Sequence, residues 1–345
     1  MKYRIHWGKQ LKIAALLLIS AVVLWRLWRG LSWTEMRHSF AQANSLLLVS
    51  AIGVSSATNL LRSFRWRVLL SPSGWVGIHD VFAATNIGIG GSFLFGNAVG
   101  ELLRPVVLPL LSPQVRRTTA LLTIIVERVF DLSVLCMLFG LSLLWFPLIS
   151  SRAFRTVHLN EIGAVLIALP GLAVVTLVYL RRKFINRPIR QTDQWQAASG
   201  RMRRAAAHFL QQLMRGLSTL TNIRELVVVA LWTAAQWLSV IFTNWLVLRA
   251  FGLPFGVKET VLVMCFGLAG SFVPTPGGAA GAFHAALSGG LILLGVDLEK
   301  AAAISIAAHL VGFIPALVFG SYYLLRCGLD LTQLQREVSA VGETR

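Results

Sequence analysis

Apolar residues in this chain come in long runs, and the polar residues between them are concentrated in short clusters of arginine, glycine and proline. A helix of about 20 apolar residues crosses a hydrocarbon core of ~30 Å. By that measure Leu11–Leu27, Ser45–Leu61, Thr118–Ile149, Gly163–Leu180, Glu225–Ala250 and Ala301–Leu325 predict six full spans. Thr118–Ile149 is longer than a bilayer needs, which predicts a tilted helix or one that leaves the membrane. Leu11–Leu27 is followed by Trp25, Arg26, Trp28 and Arg29 where a cleaved signal would have small residues, so it is expected to stay as an anchor.

Two stretches break the pattern. Val81–Val99 is dense in glycine (Gly88, Gly90, Gly91, Gly96) and runs into Gly100-Glu101, with Pro105 and Pro109 beyond. Val257–Phe272 runs into Pro274-Thr275-Pro276-Gly277-Gly278-Ala279-Ala280-Gly281, and Ala282–Val296 resumes the apolar run. Proline and glycine at this density predict broken or re-entrant helical hairpins, because non-helical backbone in a membrane survives only where protein or a cavity covers it. Gly88-Ile-Gly-Gly-Ser-Phe93 echoes Gly267-Leu-Ala-Gly-Ser-Phe272, one at each break.

Composition settles the class. Hydrophobic residues make up 56% of the 345 positions and charged ones 13%, against about 25% charged in a soluble domain; mean hydropathy is +0.69. The net charge of +18 comes from 32 Lys+Arg and 14 Asp+Glu. The aromatics lie in the apolar runs and are not interleaved with the basic residues, which argues against nucleic acid. The basic excess is that of cytoplasmic loops, with anionic headgroups as a further attraction. Residues 181–224 carry ten basic residues and one acid, Asp193, and are expected to face the cytoplasm. The cluster Arg62, Arg65, Arg67 marks a second cytoplasmic end.

Those two anchors give a topology. Residues 1–326 form one integral membrane domain with halves 1–160 and 161–326, and 327–345 form a short polar tail. Each half has three spans and a hairpin, in opposite orientation, with both termini in the cytoplasm. The expected fold is therefore an all-α polytopic membrane protein with six spans and two broken hairpins, arranged as an inverted repeat; eight plain spans without a repeat are the alternative.

Chemistry is concentrated where charge interrupts apolar sequence. Glu101, Arg104, Glu127, Arg128 and Asp131 lie in or beside such runs, where a charge costs roughly 2.5–3.5 kcal/mol on insertion scales. Glu127 and Asp131 are four apart and share a helix face. Either one of them is protonated or a cation bridges them, and Arg104 and Arg128 are the cations at hand. The forked guanidinium also fits phosphate. The group reads equally as a headgroup site and as a neutral network that locks a hairpin. Pro276, Gly277, Gly278 and Gly281 place backbone N–H groups at a helix start, a setting that suits anions or simple packing. His284 and His309 can carry a proton or bond a headgroup. Cys136, Cys265 and Cys327 are scattered, and no spacing of His, Cys and acids suggests a metal or other cofactor. GxSxG, P-loop, HExxH and dinucleotide signatures are missing.

Four stretches together resemble the lysylphosphatidylglycerol synthase transmembrane region, a flippase-like membrane family. They are Arg65-Trp66-Arg67-Val68-Leu69-Leu70, Gly100-Glu101-Leu102-Leu103-Arg104-Pro105, Glu127-Arg128-Val129-Phe130-Asp131, and Pro276-Gly277-Gly278 through Gly281-Ala282-Phe283-His284, followed by His309. Where the family commonly carries an Asn-Asn pair, a Pro and an Arg ahead of the Gly-Glu pair, this chain has Ser92, Phe93, Gly96 and Ala98. The resemblance implies lipid handling without the soluble aminoacyl-transfer domain of some members, since little follows residue 326. A translocase for a phospholipid or isoprenoid-linked lipid with an anionic or phosphate-bearing headgroup is the expected function, in the inner (cytoplasmic) membrane and not as an enzyme. A non-catalytic partner of a lipid-linked glycosyltransferase and a membrane-embedded lipid-modifying transferase are the alternatives.

Overall fold

The computed structural model describes residues 32–71, 74–145, 161–168, 170, 172, 223–273 and 276–328. The anchor Leu11–Leu27, most of Gly163–Leu180, nearly all of the basic loop 181–224 and the tail from residue 329 lie outside the described residues.

The described elements are helical: α1 Trp33–Gln42, α2 Ser45–Leu69, α3 Ile78–Phe95, α4 Asn97–Leu111, α5 Arg117–Trp145, α6 Ile223–Ala250, α7 Val257–Gly270, α8 Pro276–Leu293 and α9 Leu298–Arg326. Among them α2, α6 and α9 are long and apolar enough to cross a membrane. The protein is all-α and polytopic, as its hydropathy pattern predicts. α1 is capped by Ser32, whose hydroxyl accepts the Glu35 N–H at 3.3 Å.

The chain divides into two compact units. The first comprises Met1–Leu60, Phe82–Val107 and Leu238–Arg345, the second Leu61–Val81 and Leu108–Trp237.

In the first unit α7 lies along α8, α8 along α9, and α9 reaches α1. Leu246, Val247, Phe251, Leu287, Leu291 and Ile304 are buried at its core. The Asn44 N–H donates to the Ala250 carbonyl at 2.8 Å, and Phe40 meets Phe251 edge-on at 5.6 Å, so the α1–α2 junction is tied to the end of α6. Asn59 donates to the Asn86 side-chain oxygen at 3.0 Å, inside apolar surroundings where an unsatisfied amide would be costly.

Both expected breaks are turns between helices packed against each other. Gly96, at φ 93°, reverses the chain between α3 and α4. A Cβ at Gly100 would overlap the Ser92 hydroxyl, the Ser92 backbone nitrogen and the Gly88 carbonyl, and one at Gly88 would overlap the stem of Arg104. In the other hairpin a Cβ at Gly270 would overlap the Ala282 carbonyl, and Gly267 faces Phe283 and Leu287. Each hairpin also carries the same back-bond: Ser92 Oγ donates to the Gly88 carbonyl at 3.2 Å, and Ser271 Oγ to the Gly267 carbonyl at 3.2 Å. The sequence echo thus has a physical content: two glycines let the return helix approach, and the serine after them closes onto its own helix.

One expectation is corrected. Pro105 and Pro109 do not break the chain, because α4 continues through both to Leu111. Proline removes a donor and crowds the preceding turn, yet membrane helices tolerate it where neighbouring groups re-satisfy the freed carbonyls.

The second unit is built on α5, with the end of α2 and the first part of α6 against it. Trp66 is fully buried and its Nε1–H donates to Thr123 Oγ1 at 2.9 Å; Phe64 stacks on Trp232 at 5.2 Å. Gly140 of α5 abuts the Gly163 carbonyl in the helical stretch 161–168.

Candidate functional site

In the second unit the carboxylates of α5 converge on Arg65, expected from sequence at a cytoplasmic helix end. Arg65 of α2 donates from Nη1 to Asp131 Oδ1 at 2.6 Å, from Nη2 to Asp131 Oδ2 at 3.0 Å and from Nε to Glu127 Oε1 at 3.4 Å. The Asp131 contact is a bidentate fork, the strongest geometry for such a pair. Trp237 Nε1–H donates to Asp131 Oδ1 at 3.3 Å, and Arg65 Nη1 also reaches Thr233 Oγ1 at 3.4 Å. Arg128 Nη2 lies 3.3 Å from Asp131 Oδ2. Arg65 and Arg128 thus both pair with Asp131, and Arg65 also with Glu127.

The side chains of Arg65 and Glu127 are both 0% exposed, whereas that of Arg128 is 44% exposed. In this arrangement the Arg65–Glu127 pair presents no side-chain surface to solvent. Burying charges is repaid only by close pairing and full hydrogen bonding, and Asp131 is saturated in that way. These contacts tie α2, α5 and α6 together as a lock, and Arg128 is its open edge.

In the first unit the second pair stands on the hairpin α3–α4. Arg104 Nη1 lies 3.6 Å from Glu101 Oε2, one turn apart; the Arg104 side chain is 2% exposed and that of Glu101 33%. Arg104 can lie so flat only because Gly88 opposite has no side chain.

The histidines come together in the same unit. Their ring centroids are 5.0 Å apart, and His309 of α9 is surrounded by Phe93 of α3 at 5.6 Å, Phe283 of α8 at 5.1 Å and Phe313 at 4.8 Å. His309 is thus one residue of α9 that both hairpins touch. The Ser305 hydroxyl donates to the Ala302 carbonyl at 2.7 Å and lies 3.2 Å from His284 Nδ1. The Ser305 hydroxyl thus holds one ring nitrogen of His284. Among the described residues no group of three or more His, Cys, Asp and Glu could hold a metal ion.

Pro276 is the first residue of α8, with Gly277 and Gly278 in its first turn and Gly281 buried one turn on. Proline suits that place, since the N–H it lacks would be unpaired there. Ala279 sits at φ 63°, the left-handed region, in this same turn. That conformation costs an alanine about 1–2 kcal/mol, so Ala279→Gly is expected to raise stability by about 1 kcal/mol, read as a higher melting temperature of the purified protein.

Of the residues expected from sequence, Glu127, Arg128 and Asp131 fall in the second unit and Glu101, Arg104, Gly281, His284 and His309 in the first. Sequence reasoning missed Arg65, Thr233, Trp237, Ser305 and Phe93. Arg65 had a visible signal: it is next to Trp66, and a tryptophan beside an arginine inside an apolar helix is as consistent with burial as with an interface.

A family profile described as the lysylphosphatidylglycerol synthase TM region matches residues 13–320. Comparison with curated proteins returns no match.

Proposed function

The chain belongs to the lysylphosphatidylglycerol synthase TM region family, a membrane family tied to lipid metabolism, and from that premise we propose that it is a lipid translocase of the cytoplasmic membrane. The lipid is a phospholipid or isoprenoid-linked lipid whose headgroup carries phosphate. Its headgroup passes the polar face of the first unit while its chains stay in the bilayer, and no bond of the lipid is made or broken. The arginine-rich end of α2 and the loop 181–224 face the cytoplasm.

One observation supports this reading above the others. His309 receives Phe93 from one hairpin and Phe283 and His284 from the other, and the first of these hairpins carries the half-open Glu101–Arg104 pair. Discontinuous helices that meet around polar groups in a membrane are the construction used where a polar solute must cross. Glu101, one-third exposed, is the member a headgroup can reach; Arg104 is released to phosphate when Glu101 turns away.

The test is reconstitution. In proteoliposomes with fluorescent phospholipids, Glu101→Gln and Arg104→Lys are each expected to slow transfer between leaflets at least tenfold, with the inserted fraction and melting temperature near wild type. Wild-type rates in both variants would overturn the mechanism. Mass spectrometry of the recovered lipid is expected to show unchanged masses, and a modified lipid would place the protein among the transferases.

A further inference from the structure

The end of the second unit formed by the α2–α3 and α4–α5 connections presents charge and an exposed aromatic ring, and none of them belongs to the lock at Asp131. Trp75 is 77% exposed. Exposure of that size suggests a loose loop, but the loop is fixed in three ways. Val76 and Val115, one on each connection, are 2% and 1% exposed and plug both loops into the unit. Gln114 Nε2–H donates to the Trp75 carbonyl at 3.0 Å, joining one connection to the other. The Arg67 guanidinium lies over the Trp75 ring, 5.3 Å from its centroid, which holds the indole by its face.

The exposed charge at this end is mainly basic. Arg116, Arg117 and His79 are exposed, and Arg67 is stacked on Trp75. The neighbouring carboxylate, Asp80, accepts the hydroxyl of the buried Ser112 at 2.6 Å, and the three arginines outnumber it. A tryptophan held outward among arginines matches the headgroup layer of a bilayer, where an indole has one apolar and one wet end. Arginine forks fit phosphodiester oxygens, and anionic lipid attracts such clusters.

We propose that this surface binds the headgroups of anionic phospholipids in the adjoining leaflet, as a fixed docking site and not as part of the translocation route. Trp75 seats at the level of the glycerol backbone. Arg67, Arg116 and Arg117 take the phosphate and the net negative charge, which gives the site a preference for anionic over zwitterionic lipid. An acidic protein partner is the competing occupant, and it has no use for an indole fixed at headgroup depth.

The experiment is native mass spectrometry of the full chain released from mixed micelles containing equal phosphatidylserine and phosphatidylcholine. The two lipids share the phosphodiester and differ in net charge. Wild type is expected to retain phosphatidylserine in preference, and the variant combining Arg67→Gln, Arg116→Gln and Arg117→Gln to retain at least one molecule fewer. Trp75→Ala is expected to weaken retention of that molecule about tenfold without altering the folded charge-state distribution. Raising salt should erase the difference between wild type and the arginine variant. Equal phosphatidylserine counts in wild type and the arginine variant, both folded, would overturn the proposal, and so would a wild type with no preference for phosphatidylserine.

Discussion

Arg65→Ala is expected to destabilise the protein by about 3–5 kcal/mol, the range for removing one partner from a buried ion pair. Asp131 loses both prongs of its fork and Glu127 loses its Nε–H contact. Two carboxylates one turn apart then face each other, with Arg128 3.3 Å from Asp131. Arg128 is partly solvated and bonds one oxygen only, so it cannot replace the fork. A cavity the size of a guanidinium adds to the loss. Melting of detergent-purified protein should show a large fall in midpoint for Arg65→Ala and a smaller one for Arg65→Lys, which keeps the charge without the planar fork. The decisive control removes the buried charge at once and leaves only the partly solvated Arg128. Arg65→Met with Glu127→Gln and Asp131→Asn is expected to recover most of the lost stability, because the penalty lies in the uncompensated carboxylates. A single-variant midpoint equal to wild type would show that the lock carries no stability.

Gly100→Ala is expected to be the most damaging single-methyl change in the first unit, costing about 1–3 kcal/mol or more. The added carbon would meet backbone on the facing helix, at the Ser92 nitrogen and the Gly88 carbonyl. Backbone cannot rotate away as a side-chain tip can, so α3 and α4 must separate. Separation exposes the Arg104 stem and loosens its pairing with Glu101, so transport activity should fall with stability. Gly312→Ala makes the contrast. Nothing lies within 4 Å of a Cβ there, and the gain in helix propensity predicts stabilisation of about 0.5–1 kcal/mol. Thermal melting of the two variants side by side checks both signs; equal effects would remove close approach as the reason for Gly100.

What could be read from the chain alone followed from local rules. Spans come from apolar run length. The hairpins come from glycine and proline density. The shared face of Glu127 and Asp131 comes from four-residue spacing, and with it the need for a cation. The identity of that cation could not be read, because Arg65 is 62 residues from Glu127 and no local pattern joins them. Its neighbours Arg62 and Arg67 point to a cytoplasmic helix end, while only two residues, about half a helical turn, separate a stacked, partly exposed Arg67 from a fully buried Arg65. His284 and His309 were noticed through a family motif, but the convergence on His309 depends on Phe93, an ordinary apolar residue until α3 is placed against α9. Pro105 and Pro109 misled for the opposite reason: their local rule is sound, and tertiary surroundings override it.

The paired glycines and the serine back-bond also bear on how the protein is made. In both hairpins the stabilising contacts join residues close in sequence, Gly88 to Arg104 and Gly267 to Phe283 and Leu287, so the loop-closure entropy of each is small. Each hairpin can therefore close as soon as its second helix leaves the ribosome. α9 emerges last among the described helices, and His309 and Phe313 on it are what Phe93 and Phe283 pack against. Two finished hairpins would wait in the bilayer for this helix, and a nascent chain stalled before residue 298 would carry both without the element that joins them.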